Sequence, residues 1–337
     1  MRALTIDGLD SCAWLEAPTP QPAAGEVLIK VRHVGLCGSD LATFSGLNPL
    51  VSLPRIPGHE IGGEIVAVGE GVPKVYSIGR RVIVSPYTAC GACPSCRRGR
   101  VNACRSNQTL GVQRDGGLAE YIVLPHGKLF LNDTIPPQRL ALVEPLSVGF
   151  HAVARGRVTA ADRVVVVGCG MIGMGAVAGA AARGAEIIAV DLGEKSAAAL
   201  RFGARHVIDA AHENVVERVH ALTDGDGADV VVEAVGSPAT FVQAVDMAAF
   251  SGRGVYIGYS KAPVTYDTKY FNLKELDILG SRNALPEDFE AAISYIEEKG
   301  ALVDDFISRI FPFDQATDAL PYWKSNREDI LKILVEL

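Results

Sequence analysis

The 337-residue chain has no apolar run long enough to span a bilayer and no block of basic residues. The first absence argues against a membrane-spanning segment. The second makes nucleic acid and anionic membrane poor partners, as does a net charge of −7. Residues 1–10 lack the apolar core of a signal peptide, so a cytoplasmic location is expected. Low-complexity segments and internal repeats are also missing. What is there is 48% apolar and 21% charged, the composition of a globular chain with length enough for two domains. Seven cysteines in a reducing compartment point to metal or catalysis before disulfides.

The stretch Arg163 to Asp191 organises the rest. Val164–Val167 reads as a strand buried on both faces. Gly168-Cys169-Gly170-Met171-Ile172-Gly173 follows, a G-x-G-x-x-G. Gly168 permits the tight turn, Gly170 lets backbone approach a pyrophosphate, and Gly173 lets the next helix lie against the strand. That helix aims its N-terminal amides at the phosphates. A second strand, Ile187 to Val190, ends in Asp191, whose carboxylate suits the hydroxyls of an adenosine ribose. The same charge opposes a 2′-phosphate, so NAD is expected over NADP. Lys195 is close enough in sequence to reach such a phosphate. Glycines serving packing alone are the plainer alternative.

Residues 1 to about 145 read as short strands broken by Gly and Pro, including Val27–Val31, Glu64–Val68, Arg81–Val84 and Ala119–Val123. That spacing suggests a partly closed β-barrel. Four interruptions carry chemistry. Cys37-Gly38-Ser39-Asp40 and Gly58-His59-Glu60 offer Cys37, His59 and Glu60 as zinc ligands, with Asp40 typed to hold the His59 imidazole. Taken singly, Cys37 is more often a small buried hydrophobe and His59 a structural histidine; the pair gains its meaning beside the motifs that follow. Because neighbours on an extended chain diverge, Glu60 is expected to alternate with water at the metal. Cys90, Cys93, Cys96 and Cys104 form C-x2-C-x2-C-x7-C. Four thiolates so spaced can close a tetrahedral, structural zinc site. An iron–sulfur cluster also uses C-x2-C-x2-C but places its fourth cysteine nearer. Arg97, Arg98, Arg100 and Arg105 offset the thiolate charge or line a solvated surface. Glu144, just before the cofactor segment, either ligates metal, holds its water, or complements a helix dipole.

In this order, the Cys37 and His59 motifs, the four-cysteine lobe, Glu144-Pro145-Leu146-Ser147 and the glycine fingerprint resemble zinc-dependent medium-chain dehydrogenases over nearly the whole chain. The polyol and sugar-acid branch, with sorbitol, threonine and galactonate dehydrogenases, is the nearest likeness. Classical alcohol dehydrogenases carry a cysteine ligand where Glu144 stands. The resemblance implies a GroES-like, mainly β catalytic domain at 1–148, with the zinc lobe at about 86–107. A doubly wound α/β NAD-binding domain follows at 149–287, and 288–337 returns to the first domain, with the active site in the cleft between domains. Beyond Asp191 the strands His206–Asp209, Asp229–Glu233, Gly254–Gly258 and Leu276–Leu279 alternate with helices Glu194–Phe202, Glu213–Leu222 and Ala239–Phe250. The tail reads helix 287–298, strand 307–311, helix 314–323 and strand 330–335.

The implied reaction is reversible hydride transfer between a secondary alcohol of a polyol or sugar acid and NAD, with two Zn per chain. Val235, Gly236, Ile257 and Gly258 line the nicotinamide by the same resemblance. Ser39 relays the alcohol proton and Arg282 contacts the substrate's distal oxygens; a surface salt-bridge arginine is the plainer alternative for Arg282. Many relatives carry a relay histidine where Ala42 stands, and Thr43 replaces a substrate-side tyrosine. Threonine-type or simple alcohol dehydrogenase activity is the alternative, and a non-catalytic relative is more remote. A homodimer or homotetramer joined through the cofactor domain is expected.

Overall fold

The computed structural model describes residues 1–193 and 197–337, so Lys195 and the start of the helix expected at Glu194 lie outside the described residues. The chain forms two compact units, Met1–Glu144 with Ile293–Leu337, and Pro145–Ala292.

In the first unit, β1 (Arg2–Gly8) and β2 (Ser11–Glu16) pair with each other. The main sheet uses β3 (Glu26–Leu36), β4 (Glu60–Val68), β5 (Arg81–Val84), β6 (Tyr121–Pro125) and β7 (Leu129–Leu131). Two tail strands join it, β14 (Ile307–Pro312) and β15 (Lys332–Glu336). The order is β14-β15-β3-β4-β5-β7. One edge of β3 is shared: β6 covers Glu26–Lys30 and β15 covers His33–Leu36. Alternating apolar residues drive this pairing. Val27, Ile29, Val31, Ile61, Ile65, Val82 and Ile333 are fully buried in one core, each worth about 1.5–3 kcal/mol of apolar transfer. Both β3 and β4 run longer than their valine- and isoleucine-rich segments indicate. Their extra residues reach Leu36 and Glu60, so the strands deliver the chemistry-bearing positions directly.

The second unit holds β8 (Arg163–Val167), β9 (Glu186–Asp191), β10 (His206–Asp209), β11 (Ala228–Glu233), β12 (Ala248–Tyr256) and β13 (Asp277–Gly280). All pairs are parallel, in the order β10-β9-β8-β11-β12-β13. That is the doubly wound order, with its switch point between β8 and β11. Val165, Val167, Ile188, Val190, Ile208 and Val231 make the centre of the core. The helix Met171–Ala181 is apolar nearly all round and buried accordingly. Asn214 caps the helix Val215–Leu222 by accepting the Glu217 N–H, and Ser237 caps Pro238–Met247 through the Ala239 N–H.

Three elements differ from the sequence expectation. The helix expected to reach Phe250 stops at Met247, because Ala248–Phe250 already belong to β12. An apolar run has no period that separates helix from buried strand. Ala199–Phe202 form a tighter 3-10 turn, ended by Gly203 at φ 106°. The tail helix likewise begins as a 3-10 turn, Phe313–Asp318, before Ala319–Ser325. Among the described residues no helix is long and apolar enough to cross a membrane.

Candidate active site

Cys37 is the first residue past β3 and caps the short helix Gly38–Phe44. Asp40, one per cent exposed, does not grip the His59 ring as its type suggested. Its Oδ2 accepts the Cys37 N–H at 2.8 Å and its Oδ1 the Gly58 N–H at 3.2 Å. One carboxylate thus ties together the two loops that carry Cys37 and His59. Gly58, at φ 91°, turns the chain immediately before β4. His59 therefore lies outside the extended strand, and His59 and Glu60 converge instead of diverging. Ligand atoms of Cys37, His59 and Glu60 all fall within 4.8 Å of one another.

Two buried atoms here have no hydrogen-bond partner, His59 Nδ1 and Ser39 Oγ. The thiol of Cys37, the imidazole of His59 and the carboxylate of Glu60 form a donor set that zinc accepts. Burial alone would lower the His59 pKa, but Cys37, Asp40 and Glu144 outweigh it and hold it well above the usual value.

Two further side chains complete this pocket, and neither was foreseen. Lys332 of β15 places Nζ 2.5 Å from both oxygens of Glu60 and 3.0 Å from the Leu36 carbonyl. Lysine and glutamate are both buried, at 2% and 0% side-chain exposure. Gly35 makes room for the pair, since a Cβ there would lie 2.0 Å from Glu60 Oε2. Tyr87 donates its hydroxyl to Glu144. Burial pushes the Glu144 carboxyl upward, against the pull of His59 and the Tyr87 hydrogen bond. Around Ser39, Thr43 Oγ1 donates to its carbonyl at 2.8 Å, and Asn48 Nδ2 donates to Thr43 Oγ1 at 3.1 Å. Ala42 offers no titratable group to this network.

The cysteine lobe is a separate centre. Sulfurs of Cys90, Cys93, Cys96 and Cys104 lie within 4.8 Å of one another. Cys93 Sγ is 3.5 Å from Cys96 Sγ and 3.9 Å from Cys104 Sγ. Tetrahedral Zn–S bonds of about 2.3 Å require edges of about 3.8 Å, so the cage fits zinc. Backbone N–H groups of Cys93 and Ser106 donate to sulfurs of Cys90 and Cys104. The hydroxyl of Ser95 with amides of Cys96 and Arg105 holds the Cys93 thiol down to about 5.

In the second unit, Gly168 turns at φ 93° and Gly170 caps the helix Met171–Ala181. A Cβ on Gly173 would meet the Gly168 carbonyl at 1.7 Å, whereas one on Gly170 would meet nothing within 4 Å. The chain is therefore packed at Gly173 and open at Gly170. Met171 and Ile172 open the helix. Asp191 accepts the Cys169 N–H at 2.5 Å and the Leu192 N–H at 2.6 Å. Val235 and Gly236 follow β11, and Ile257 and Gly258 follow β12. Both turns hang from Glu233, fully buried, which sequence reading left as the end of a strand. Its Oε1 accepts the Val235 and Gly236 N–H groups at 3.0 and 2.7 Å, and its carbonyl accepts those of Ile257 and Gly258 at 2.9 and 3.2 Å. Arg282, just beyond β13, is exposed in this unit.

Comparison with known proteins agrees with this architecture. Residues 23–134 match the alcohol dehydrogenase GroES-like domain, and 172–298 the zinc-binding dehydrogenase family. L-galactonate-5-dehydrogenase of Escherichia coli K12 is 34% identical over 336 residues, covering 98% of each chain. Sorbitol dehydrogenase of Halalkalibacterium halodurans is 33% identical, covering 99% of each. A solved alcohol dehydrogenase of E. coli CFT073 in complex with NADH superposes with a TM-score of 0.92 at 30% identity, covering 100% of this chain and 99% of that one. The chain belongs to the zinc-type medium-chain dehydrogenase superfamily, on its polyol branch. It is an oxidoreductase that acts on a small molecule.

Proposed function

We propose that the protein oxidises, reversibly, a secondary alcohol of a polyol or sugar acid with NAD. The observation that carries this reading is the convergence of Cys37, His59 and Glu60 within 4.8 Å beside the buried acid Glu144. The sugar-acid and polyol substrates in the names of the two curated relatives support the substrate class. When bound, zinc supplies Lewis acidity to an alcohol oxygen, and NAD accepts the hydride.

The chain's own groups do the rest. Cys37, His59 and Glu60 hold the catalytic metal, and the four lobe cysteines hold a structural one. Glu144, fixed by Tyr87, orients what enters the remaining metal position. Ser39 Oγ, buried and unpartnered, takes the alcohol proton, with Thr43 and Asn48 fixing its backbone. Arg282 engages distal oxygens, a carboxylate best of all. Gly168, Gly170, Met171, Ile172 and Gly173 receive the pyrophosphate, Asp191 the adenosine ribose, and Val235, Gly236, Ile257 and Gly258 the nicotinamide.

In this reading the catalytic domain is 1–148 with 288–337, and the cofactor domain is 149–287. The protein works in the cytoplasm as a homodimer or homotetramer, apart from nucleic acid and membranes. The test is NADH formation by zinc-replete protein across aldonates, sugar alcohols, threonine and simple alcohols, each with NAD and NADP. Turnover of a sugar acid or polyol with NAD is expected. Turnover confined to simple alcohols would sink the role of Arg282, and turnover confined to threonine would move the protein to the threonine-type reading.

A further inference from the structure

Asp209 ends β10 and is the direct register partner of Asp191 at the end of β9. Partners in a parallel pair present side chains on one face, with strands about 4.8 Å apart. Two carboxylates therefore stand side by side where the ribose-binding acid is. Both grip the same short segment. Asp191 Oδ1 accepts the Leu192 N–H at 2.6 Å, and Asp209 Oδ1 accepts the Gly193 N–H at 3.1 Å. Asp209 Oδ1 also accepts the Ala211 N–H at 3.0 Å, while its Oδ2 faces His212 Nδ1 at 2.8 Å. Consecutive backbone N–H groups past a strand end are the donors that cradle a phosphate. Here the amides of 192 and 193 are already spent on carboxylates.

We propose that Asp209 is a second specificity acid that, with Asp191, restricts the dinucleotide to NAD. It acts twice: its charge adds to that of Asp191, and it occupies the Gly193 amide that a 2′-phosphate would need. The inference rests on the reading of the glycine loop as the NAD site. It assigns to Asp209 what a strand-end aspartate in a turn would not have, an effect on NADPH that is nearly absent for NADH. The carboxyl is held down to about 2 by the His212 ring and the Ala211 and Gly193 amides, so its charge is present throughout the working range.

The experiment measures binding of NADH and NADPH by fluorescence to wild type, D209N, D191S and the double variant, as purified zinc-loaded protein. Asparagine keeps an acceptor for both amides and the shape of the side chain, so D209N should retain the wild-type melting temperature. D209N is expected to tighten NADPH about fivefold, the scale of one charge acting on a phosphate through a high-dielectric surface, with NADH within about twofold. In the D191S background the same substitution should tighten NADPH at least as much. An NADPH to NADH affinity ratio within about twofold of wild type in D209N, while D191S shifts it, would overturn the role of Asp209 and leave the NAD site standing. Wild type that binds neither dinucleotide, or prefers NADPH, would overturn the NAD reading itself and this inference with it.

Discussion

A carboxylate with no exposed surface needs a partner, and Glu60 has one in Lys332. Removing one member of a buried pair is costlier than removing both, because the survivor stays desolvated and unpaired. K332M should therefore lose about 3–5 kcal/mol in urea unfolding, and K332M/E60L should recover most of it. A loss below about 1 kcal/mol would mean that another group carries the compensation. Tyr87 is a milder case. Y87F strips the donor from buried Glu144 and should cost about 1–3 kcal/mol, while the zinc content by elemental analysis stays at the wild-type value. Metal loss in Y87F would show that Tyr87 supports the ligands themselves. Of this pocket, Cys37, His59, Glu60 and Glu144 were readable because each sits in a short motif of telling type. Lys332 was not readable. A lone lysine in a tail strand looks like a solvated residue, and its partner is 272 positions away. Asp40 was readable as an acid that steadies this site but not in its partners, which are backbone amides with no sequence signature rather than the His59 ring.

At the scale of elements, the turn before β8 is fastened to β12. Asp162 accepts the Thr159 N–H at 2.6 Å and the Thr159 hydroxyl at 2.9 Å, and pairs with Arg253 of β12. Burial would raise the Asp162 pKa, but the Thr159 and Arg253 hydrogen bonds outweigh it and the net direction is down. A carboxyl depressed in the folded state gives stability that is whole above its unfolded value, about 3.9, and vanishes as pH falls through the folded one. Wild type should thus lose stability below about pH 4 more steeply than D162N, which has no proton to gain there. Equal acid slopes in urea titrations would contradict the pairing. The central strands β8, β9 and β11 were legible because buried parallel strands read as near-unbroken valine and isoleucine runs. Strand boundaries were less so. Ala248–Phe250 continue an apolar pattern that serves helix and strand alike, and the pairing of Ala248 with Ala228 of β11 decides where the strand starts.

For the whole molecule, the two metal centres should be separable. C93S opens the sulfur cage and leaves Cys37, His59 and Glu60 untouched. Elemental analysis should then fall from about two zinc ions per chain to about one, with faster proteolysis within the lobe. Loss of both ions would show that the lobe also maintains the catalytic centre. One path for such coupling is visible, since Tyr87 precedes Cys90 by three residues and hydrogen-bonds Glu144.

Synthesis order gives the Lys332 contact another meaning. A growing chain carries Cys37, His59 and Glu60 long before Lys332, which follows Glu60 by 272 residues. Until then the pocket has its ligands but not its counter-cation. A chain released prematurely, with every motif residue present, would hold Glu60 opposite nothing and expose the edge of β3 that β15 covers. β15 thereby ties the charge balance around Glu60 to a segment made long after the motifs that supply the ligands.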